Sequence, residues 1–283
     1  KNVAAGANPV DLKRGIDMAV SALIKRLKES STPVNGSLKQ IKNIAAISAN
    51  NDDEMGQLIA DAIEKVTTKG IITVEEAKGI ETKIEITEGM RLDRGYISPY
   101  FTTNQNMEAV LDDCLVLISN EKIRDLKQVL PLLEKVAQAD KSLLIIAEDI
   151  DDVALNGLSL NKLKGVIKVC PIKAPGFGER RKDLLEDIAI LTGGTVVDAA
   201  KNLSISTLDL VDLGELEKVT VTKDSTTLVG GKGHSGAIAA RIEHIQSLIK
   251  DAPTDYIREG LEDRYGKLGG GIAVLHVGAP TED

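Results

Sequence analysis

One glycine-rich segment has the spacing of a dinucleotide-binding loop. Residues 231–236, GKGHSG, satisfy GxGxxG between a strand-like and a helix-like stretch, and Asp251 lies twenty residues beyond Gly231. Such glycines let backbone amides approach a pyrophosphate, and a later acidic residue binds the ribose. The pattern around the loop, however, predicts a hairpin before it and two helices after it, so the second parallel strand of a dinucleotide-binding unit is missing. We interpret the segment as a loop before a helix, with a nucleotide-cofactor enzyme as the alternative.

Other reactive side chains lack the spacing that metal binding or hydrolysis requires. His234, His244 and His276 have neither the spacing nor the neighbours of a metal cluster. The acidic group at 148–152 ends a predicted strand, where α/β sheets often bind ligands, but it also precedes a helix whose dipole it would favour. No GxxxxGK[ST] loop occurs. We therefore expect no catalytic residue and no metal site here.

Apolar side chains on two predicted helices suggest a binding surface instead. On the helix predicted near 122–139, they cover an arc wider than the roughly 100° that a surface helix needs: Leu126, Val129, Leu130, Leu132, Leu133, Val136 and Ala137. We expect a surface other than the domain core to cover the part of the apolar arc that exceeds this width.

The next predicted helix, 152–164, is apolar on two sides. One side carries Ala154, Leu155 and Leu158, and the other carries Val153, Leu160 and Leu163. Such a helix is either deeply buried or covered by a partner, and its sequence leaves both readings open. Three of the six aromatic residues, Tyr96, Tyr100 and Phe101, also cluster in one predicted loop. With that cluster added, a protein-binding groove becomes the better interpretation.

The elements that must position these residues follow two patterns. A helix begins at Asn8-Pro9, helices follow at about 37–48 and 52–66, and strands follow at 71–74 and 82–86. From residue 113, strands at 114–119, 143–147, 166–172 and 195–197 alternate with helices near 122–139, 152–164 and 180–191, which predicts a sheet that contains parallel strands. A hairpin at 219–229, helices at 235–250 and 253–268 and a strand at 272–277 complete the chain.

Composition excludes several classes of protein. The 283 residues carry a net charge of −8, which disfavours nucleic-acid binding. No apolar run approaches the roughly 20 residues of a membrane span, and the start of the chain lacks a signal-peptide pattern. Cys114 and Cys170 have no CxxC partner, so we expect reduced, structural thiols in a reducing compartment. The chain begins without Met and reads as part of something longer.

Several long strings carry a family resemblance. EGMRLDRGYISPYF at 88–101, LLIIAED at 143–149, KAPGFG at 173–178 and LTGGT at 191–195 closely resemble the group I, GroEL-type chaperonins, the 60 kDa class of bacteria and organelles. AAGANPVDLKRGID at 4–17 and KLGGGIAVLHVGAPTE at 267–282 resemble the same family. The collinear matches span nearly the whole chain.

The resemblance implies an α/β fold in which an apical domain, a mixed sheet flanked by helices, is inserted into a smaller α+β intermediate domain. Residues 1–30 then correspond to the end of an equatorial segment, 31–87 and 272–283 to the intermediate domain, and 88–271 to the apical domain. Hinges are implied at Pro33, and at Gly89 with Gly271.

The resemblance also implies a molecular chaperone whose apical groove binds exposed apolar segments of non-native proteins and the mobile loop of a GroES-type co-chaperonin. The implied contacts lie on a loop and two helices: Tyr96, Tyr100, Phe101, Leu130, Leu133, Leu155 and Leu160. At Ser159 the family usually has an aliphatic residue, which predicts a locally more polar groove.

The full-length protein is expected to bind ATP and Mg²⁺, to hydrolyse ATP and to form heptameric rings. The family's GDGTTT-type phosphate loop and its catalytic Asp do not occur in these residues, so the present chain is expected to need no cofactor, to hydrolyse no ATP and to be a monomer or weak oligomer. We expect no nucleic-acid or membrane partner. The expected location is the bacterial cytoplasm or, alternatively, an organelle matrix or stroma.

Overall fold

A computed structural model describes residues 3, 5–34, 36–66, 70–77, 81–199 and 203–278. The chain divides into two compact units, Lys1–Gln57 and Leu58–Asp283. The division falls inside a helix, and the predicted boundaries at residues 30, 87 and 271 remain predictions. Residues 279–283 of the predicted intermediate domain lie outside the described residues.

The first unit is helical. It contains α1 (Pro9–Ser30), α2 (Leu38–Ser48) and the start of α3 (Asp53–Lys65). As the sequence predicts, Asn8 caps α1, its side-chain oxygen accepting a hydrogen bond from the amide of Val10 at 2.9 Å. α1 has no buried residue among those described, so its apolar stripe, which includes Ile16 and Leu23, is exposed.

A three-stranded sheet in the second unit joins distant parts of the chain. β1 (Ile71–Glu76) pairs parallel with β10 (Ile272–Val277), which pairs antiparallel with β2 (Lys83–Thr87). The two β-branched strand starts, Ile71 and Ile272, lie opposite each other. The end of the described chain therefore lies in the same sheet as residues 71–87.

The larger sheet is mixed. Its strands run in the order β3-β9-β8-β4-β5-β6, and β7 pairs with β4. Their ranges are β3 (Gly89–Leu92), β4 (Ala109–Ser119), β5 (Ser142–Ala147), β6 (Lys168–Lys173), β7 (Val196–Val197), β8 (Gly214–Val221) and β9 (Thr226–Gly231). β4, β5, β6 and β7 are mutually parallel, whereas β8, β9 and β3 are antiparallel to their neighbours. The α/β fold class predicted from the sequence is confirmed.

Helices cover this sheet. They are α4 (Leu130–Gln138), α5 (Asp152–Leu163), α6 (Gly178–Thr192), α7 (Ser235–Lys250) and α8 (Asp255–Gly269). Every residue of β5 is buried, which is why this strand contains the continuous apolar run LLIIA rather than an alternating pattern. The sequence missed β3 because it has only four residues. It missed the first five residues of β4 because Asp112 and Asp113 interrupt the apolar pattern of that strand.

A buried ion pair joins α6 to α8. Arg264 donates to both carboxylate oxygens of Asp187, at 2.7 and 3.0 Å, and Arg241 of α7 donates to Asp187 at 2.8 Å. Burial opposes the charge of Arg264, but the hydrogen bond and the charge of Asp187 outweigh it, so the pKa of Arg264 is raised. Breaking one partner of such a pair costs about 3–5 kcal/mol, so these contacts fix α7 and α8 on α6.

Candidate functional site

α4 forms one side of the candidate site, and it is shorter than predicted. A 3-10 turn at Leu126–Gln128 precedes the helix, which starts at Leu130. The prediction of a helix from about 122 was wrong, because Pro131 lacks an amide proton and fits only the first turn of a helix. Instead, Gln128 accepts hydrogen bonds from the amides of Arg124 and Asp125, which closes a capping box before the helix.

α5 forms the other side, and its two apolar faces differ in exposure. Ala154 and Leu158 are buried in the core, whereas Val153, Leu160 and Leu163 are exposed. Full burial of α5 is therefore excluded within the described residues. The outward apolar face is available to a partner.

A motif at the end of α5 shapes the site. The amide of Gly165 donates to the carbonyl of Lys162, and that of Val166 donates to Asn161, which is the hydrogen-bond pattern of a Schellman motif. Gly165 has φ +70°, a conformation that favours glycine. The motif turns the chain so that Val166 stands beside the last turn of the helix.

A cavity of about 200 Å³ opens between α4 and the end of α5. Its lining is mostly apolar with a polar edge: Leu130, Leu133, Glu134, Ala137, Gln138, Asn161, Val166 and Ile167. Leu133 and Ile167 are buried at its floor, while 40% of Leu130 and 56% of Val166 are exposed. We call the space lined by these residues the α4–α5 groove.

The predicted aromatic loop is a 3-10 turn, Pro99–Phe101, that contacts α5. Its three aromatic side chains differ in exposure. Phe101 is fully buried in the core, Tyr96 is half-buried and forms a β-bridge to Ile172, and Tyr100 is 65% exposed. We call Pro99–Phe101 the aromatic turn.

The glycine loop, residues 231–236, leaves no amide free for a phosphate at its start. Four successive amides donate to backbone carbonyls: Gly230 and Gly231 to Glu88, Lys232 to Glu215, and Gly233 to Leu191. A Cβ at Gly233 would lie 2.0 Å from the carbonyl oxygen of Ile190. β9, which precedes the loop, lies in antiparallel pairs, as predicted. These glycines serve close backbone packing, which argues against a dinucleotide site.

Three of the four carboxylates of the acidic group at 148–152 are paired with cations. Lys173 lies 2.8 Å from Asp149, Lys122 lies 2.6 Å from Asp151, and Arg181 lies 3.0 Å from Glu148. The hydrogen bond from Lys173 lowers the pKa of Asp149. No group of three or more His, Cys, Asp or Glu side chains among the described residues is arranged to hold a metal ion.

Both cysteines are free and buried, as predicted. Burial raises the pKa of the Cys170 thiol to about 12 and also raises that of Cys114. Such thiols are poor nucleophiles at neutral pH.

Within the ranges that the structure describes, no helix is long and apolar enough to cross a bilayer.

The sequence pattern of the TCP-1/cpn60 chaperonin family matches residues 1–265. The chain belongs to this family. A chaperone role follows from that membership, and binding of substrate proteins and assembly into rings are general properties of the family.

In this chaperonin chain, the eight residues predicted to contact polypeptide fall into three groups. Tyr100, Leu130 and Leu160 are exposed, Tyr96 and Leu155 are half-buried, and Phe101, Leu133 and Ser159 are buried. Leu130 and Leu133 line the α4–α5 groove. Contact with polypeptide remains a prediction for all eight residues.

The reason for the buried group is local. Phe101 supplies the only large apolar side chain pointing inward from the aromatic turn, and Leu133 shares the inner face of α4 with Val129 and Val136. The Ser159 hydroxyl donates to the carbonyl of Leu155 at 2.9 Å. That bond hides its polarity inside α5, so Ser159 does not make the groove more polar.

The predicted hinges have distinct surroundings in the chaperonin chain. Pro33 is exposed between α1 and α2. Gly271 has φ +63°, which favours glycine. Gly89 is buried in β3, where a Cβ would lie 2.3 Å from the carbonyl oxygen of Leu228. Hinge motion at all three positions remains a prediction.

Sequence reasoning missed the groove residues that follow α5. Val166 and Ile167 were assigned to a strand, but β6 begins only at Lys168. The string Lys164-Gly165-Val166 has the pattern of a helix end with glycine and then an apolar residue. That pattern would have placed Val166 beside α5.

Proposed function

We propose that the α4–α5 groove, with the exposed outer face of α5 and the aromatic turn, binds exposed apolar segments of non-native proteins. The observation that carries this proposal is the exposed set Tyr100, Leu130 and Leu160, at 65, 40 and 58%. Leu130 lines the groove with its buried apolar floor, Leu160 directly precedes the lining residue Asn161, and Tyr100 belongs to the turn that contacts α5. Each apolar side chain of a client that is fully covered contributes about 1.5–3 kcal/mol.

Broad selectivity follows from the chemistry of the lining. The polar groups at the groove edge, Glu134, Gln138 and Asn161, are few and lie at its margin. An apolar floor demands no fixed hydrogen-bond pattern, so many sequences can bind there as an amphipathic helix or strand. This is the selectivity that a chaperone for many clients requires.

We further propose that the chain acts within a group I, GroEL-type chaperonin. Residues 88–271 are then the apical domain, and residues 31–87 with 272–283 are the intermediate domain. In the full-length protein, a heptameric ring driven by ATP and Mg²⁺ raises the apical domain by bending at Pro33, Gly89 and Gly271. A GroES-type mobile loop competes with clients for the groove. The strings at 88–101 and 173–178 support this assignment.

The test is an ATP-free assay in which the chain suppresses aggregation of an unfolded client, with the chain's mass in solution measured alongside. Leu130→Glu and Leu160→Glu are expected to lose suppression, because a charge would have to be buried against the client. Leu248→Glu on α7 is the matched control, since Leu248 is 38% exposed and lies outside the groove lining. Leu133 is unsuitable, because a glutamate at this buried position would unfold the domain.

Suppression that survives both groove substitutions would overturn the proposal. Loss in the Leu248→Glu control as well would indicate nonspecific apolar adhesion. Equal binding of folded and unfolded clients would point to an ordinary interaction domain. Circular dichroism of each variant, expected to be unchanged, separates lost binding from lost folding.

A further inference from the structure

We propose that Lys162 is a positioning residue: it holds the aromatic turn against α5 and thereby sets the place of Tyr100 for client binding. The inference rests on the proposed function of the groove and extends it to a residue that does not line the groove. The Lys162 ammonium donates to the carbonyl oxygen of Thr102 at 2.7 Å, and this bond is partly buried.

The bond joins α5 to the end of the aromatic turn. Thr102 follows Phe101, and its amide and hydroxyl both bond back to Pro99, at 3.1 and 2.9 Å. Its carbonyl therefore moves with the turn. A charge-assisted hydrogen bond to that carbonyl is stronger than a neutral one, so Lys162 ties the turn to the helix two residues beyond the exposed Leu160.

The aromatic turn has other attachments besides Lys162, and the Thr103 amide that follows it donates to the carbonyl of Glu108 at 2.7 Å. The segment before the turn is held on β6, where Tyr96 bridges Ile172 and the Ile97 amide donates to Pro171 at 3.4 Å. Phe101 is buried in the core. These contacts keep the turn folded without Lys162, and Phe101 packs in the same core as Ala154 and Leu158 of α5. Among the described residues, Lys162 adds the hydrogen bond that joins the turn to α5.

α5 itself is fixed on another side. Gly157 packs so closely on Leu126 that a Cβ would lie 2.8 Å from a Leu126 methyl group. That contact sets α5 against the segment that leads into α4. Because α5 is fixed in this way, the Lys162 bond fixes the aromatic turn relative to α5. It thereby sets the position of Tyr100, which projects from the turn and is 65% exposed.

Lys162 has no competing ionic role among the described residues, since none of their carboxylates lies within ion-pair distance of its ammonium. Lys164, two residues further on, is exposed at the C-cap of α5, and its side chain makes no hydrogen bond or ion pair to a described residue. The two lysines thus provide a matched pair with equal charge and different contacts.

The experiment is a double-mutant cycle on binding of a fluorescein-labelled amphipathic peptide, read by fluorescence anisotropy. Lys162→Met keeps all but one atom of the length of the side chain and removes the donor, and we expect it to weaken binding roughly two- to tenfold. In a Tyr100→Ala background the same substitution should change binding little, because the side chain that Lys162 positions is gone. Lys162→Arg should restore most of the affinity, and Lys164→Met should leave it unchanged.

Equal weakening by Lys162→Met with and without Tyr100 would overturn the inference and indicate direct attraction of the peptide by the charge. No weakening at all would overturn it as well, as would a loss of equal size from Lys164→Met.

A second measurement does not depend on the proposed function. Hydrogen exchange of the amides at 100–102 should accelerate in Lys162→Met and stay unchanged in Lys164→Met. If the unsubstituted chain binds no peptide, the proposed function fails, while unchanged exchange in Lys162→Met overturns the tether itself. The two failures are therefore distinguishable.

Discussion

The α4–α5 groove and the glycine loop at 231–236 differ in whether the groups that could bind a ligand are already engaged within the fold. The loop matches a nucleotide motif, yet its first amides donate to backbone carbonyls and Gly233 packs against Ile190. The groove matches no catalytic motif, yet it keeps Leu130 and Val166 exposed beside a buried apolar floor. Glycine amides that already donate to backbone carbonyls cannot bind a ligand, whereas apolar side chains that remain exposed can.

The largest effect on stability is expected when the two aromatic residues of the aromatic turn are substituted one at a time. Phe101→Ala should lower the free energy of unfolding by about 3–5 kcal/mol, because it empties a fully buried site. Tyr100→Ala should change it by no more than about 0.5 kcal/mol while weakening client binding. Denaturant unfolding and peptide anisotropy measure the two effects. A stable Phe101→Ala variant that lost only binding would mean that the turn opens in solution.

The glycine loop provides the opposite case. Gly233→Val should lower the free energy of unfolding by about 3 kcal/mol, since its Cβ would meet a backbone carbonyl oxygen. Neither the variant nor the unsubstituted chain should bind NAD in isothermal titration calorimetry. Saturable NAD binding that Gly233→Val abolishes would instead support the hypothesis of a nucleotide-cofactor enzyme, with the glycine loop as its ligand site.

These two cases show what periodicity can and cannot predict. The apolar spacing of α5 predicted two apolar faces but left open whether the second is buried, and the hairpin before the glycine loop was evident from the alternation in β8 and β9. Capping residues placed the start of α1 to the residue. Each of these features is local, so a short stretch of sequence contains its cause.

The missed features depend on long-range packing. Whether an aromatic side chain of the turn points into the core or into solvent is decided by β6 and α5, which are distant in sequence, so Phe101 and Tyr100 could not be distinguished. The buried Leu133 and the exposed Leu130 on α4 could not be distinguished for the same reason.

The early start predicted for α4 has a local cause instead, because Pro131 marks the first turn of a helix.

Ser159 offers a smaller and more local test of the groove. Ser159→Ala should change the free energy of unfolding by about 1 kcal/mol or less, since it removes one hydrogen bond to Leu155 within the helix. Client binding should change by less than about twofold, because the side chain is buried. Leu160→Ala, on the neighbouring exposed position, should weaken binding more. A large binding change in Ser159→Ala would mean that this side of α5 faces the client.

The smallest effect concerns the acidic group, which resembles the glycine loop in being satisfied internally. The folded-state pKa of Asp149 is lowered by Lys173, so the stabilisation from this pair is fully present above the ordinary pKa of an aspartate and is lost as the pH falls through the lowered value. Lys173→Met should therefore reduce stability by about 0.2–1 kcal/mol at neutral pH and by less in acid. Thermal unfolding from pH 7 down to pH 3 measures the difference, and Lys168→Met, at an exposed lysine of the same strand that pairs with Asp140, is the control. If Mg²⁺ instead raised the Tm of the Lys173→Met variant alone, the Asp149 carboxylate would bind a cation once Lys173 is removed. The distinction between satisfied polar groups and an unsatisfied apolar groove would then hold only while Lys173 is present.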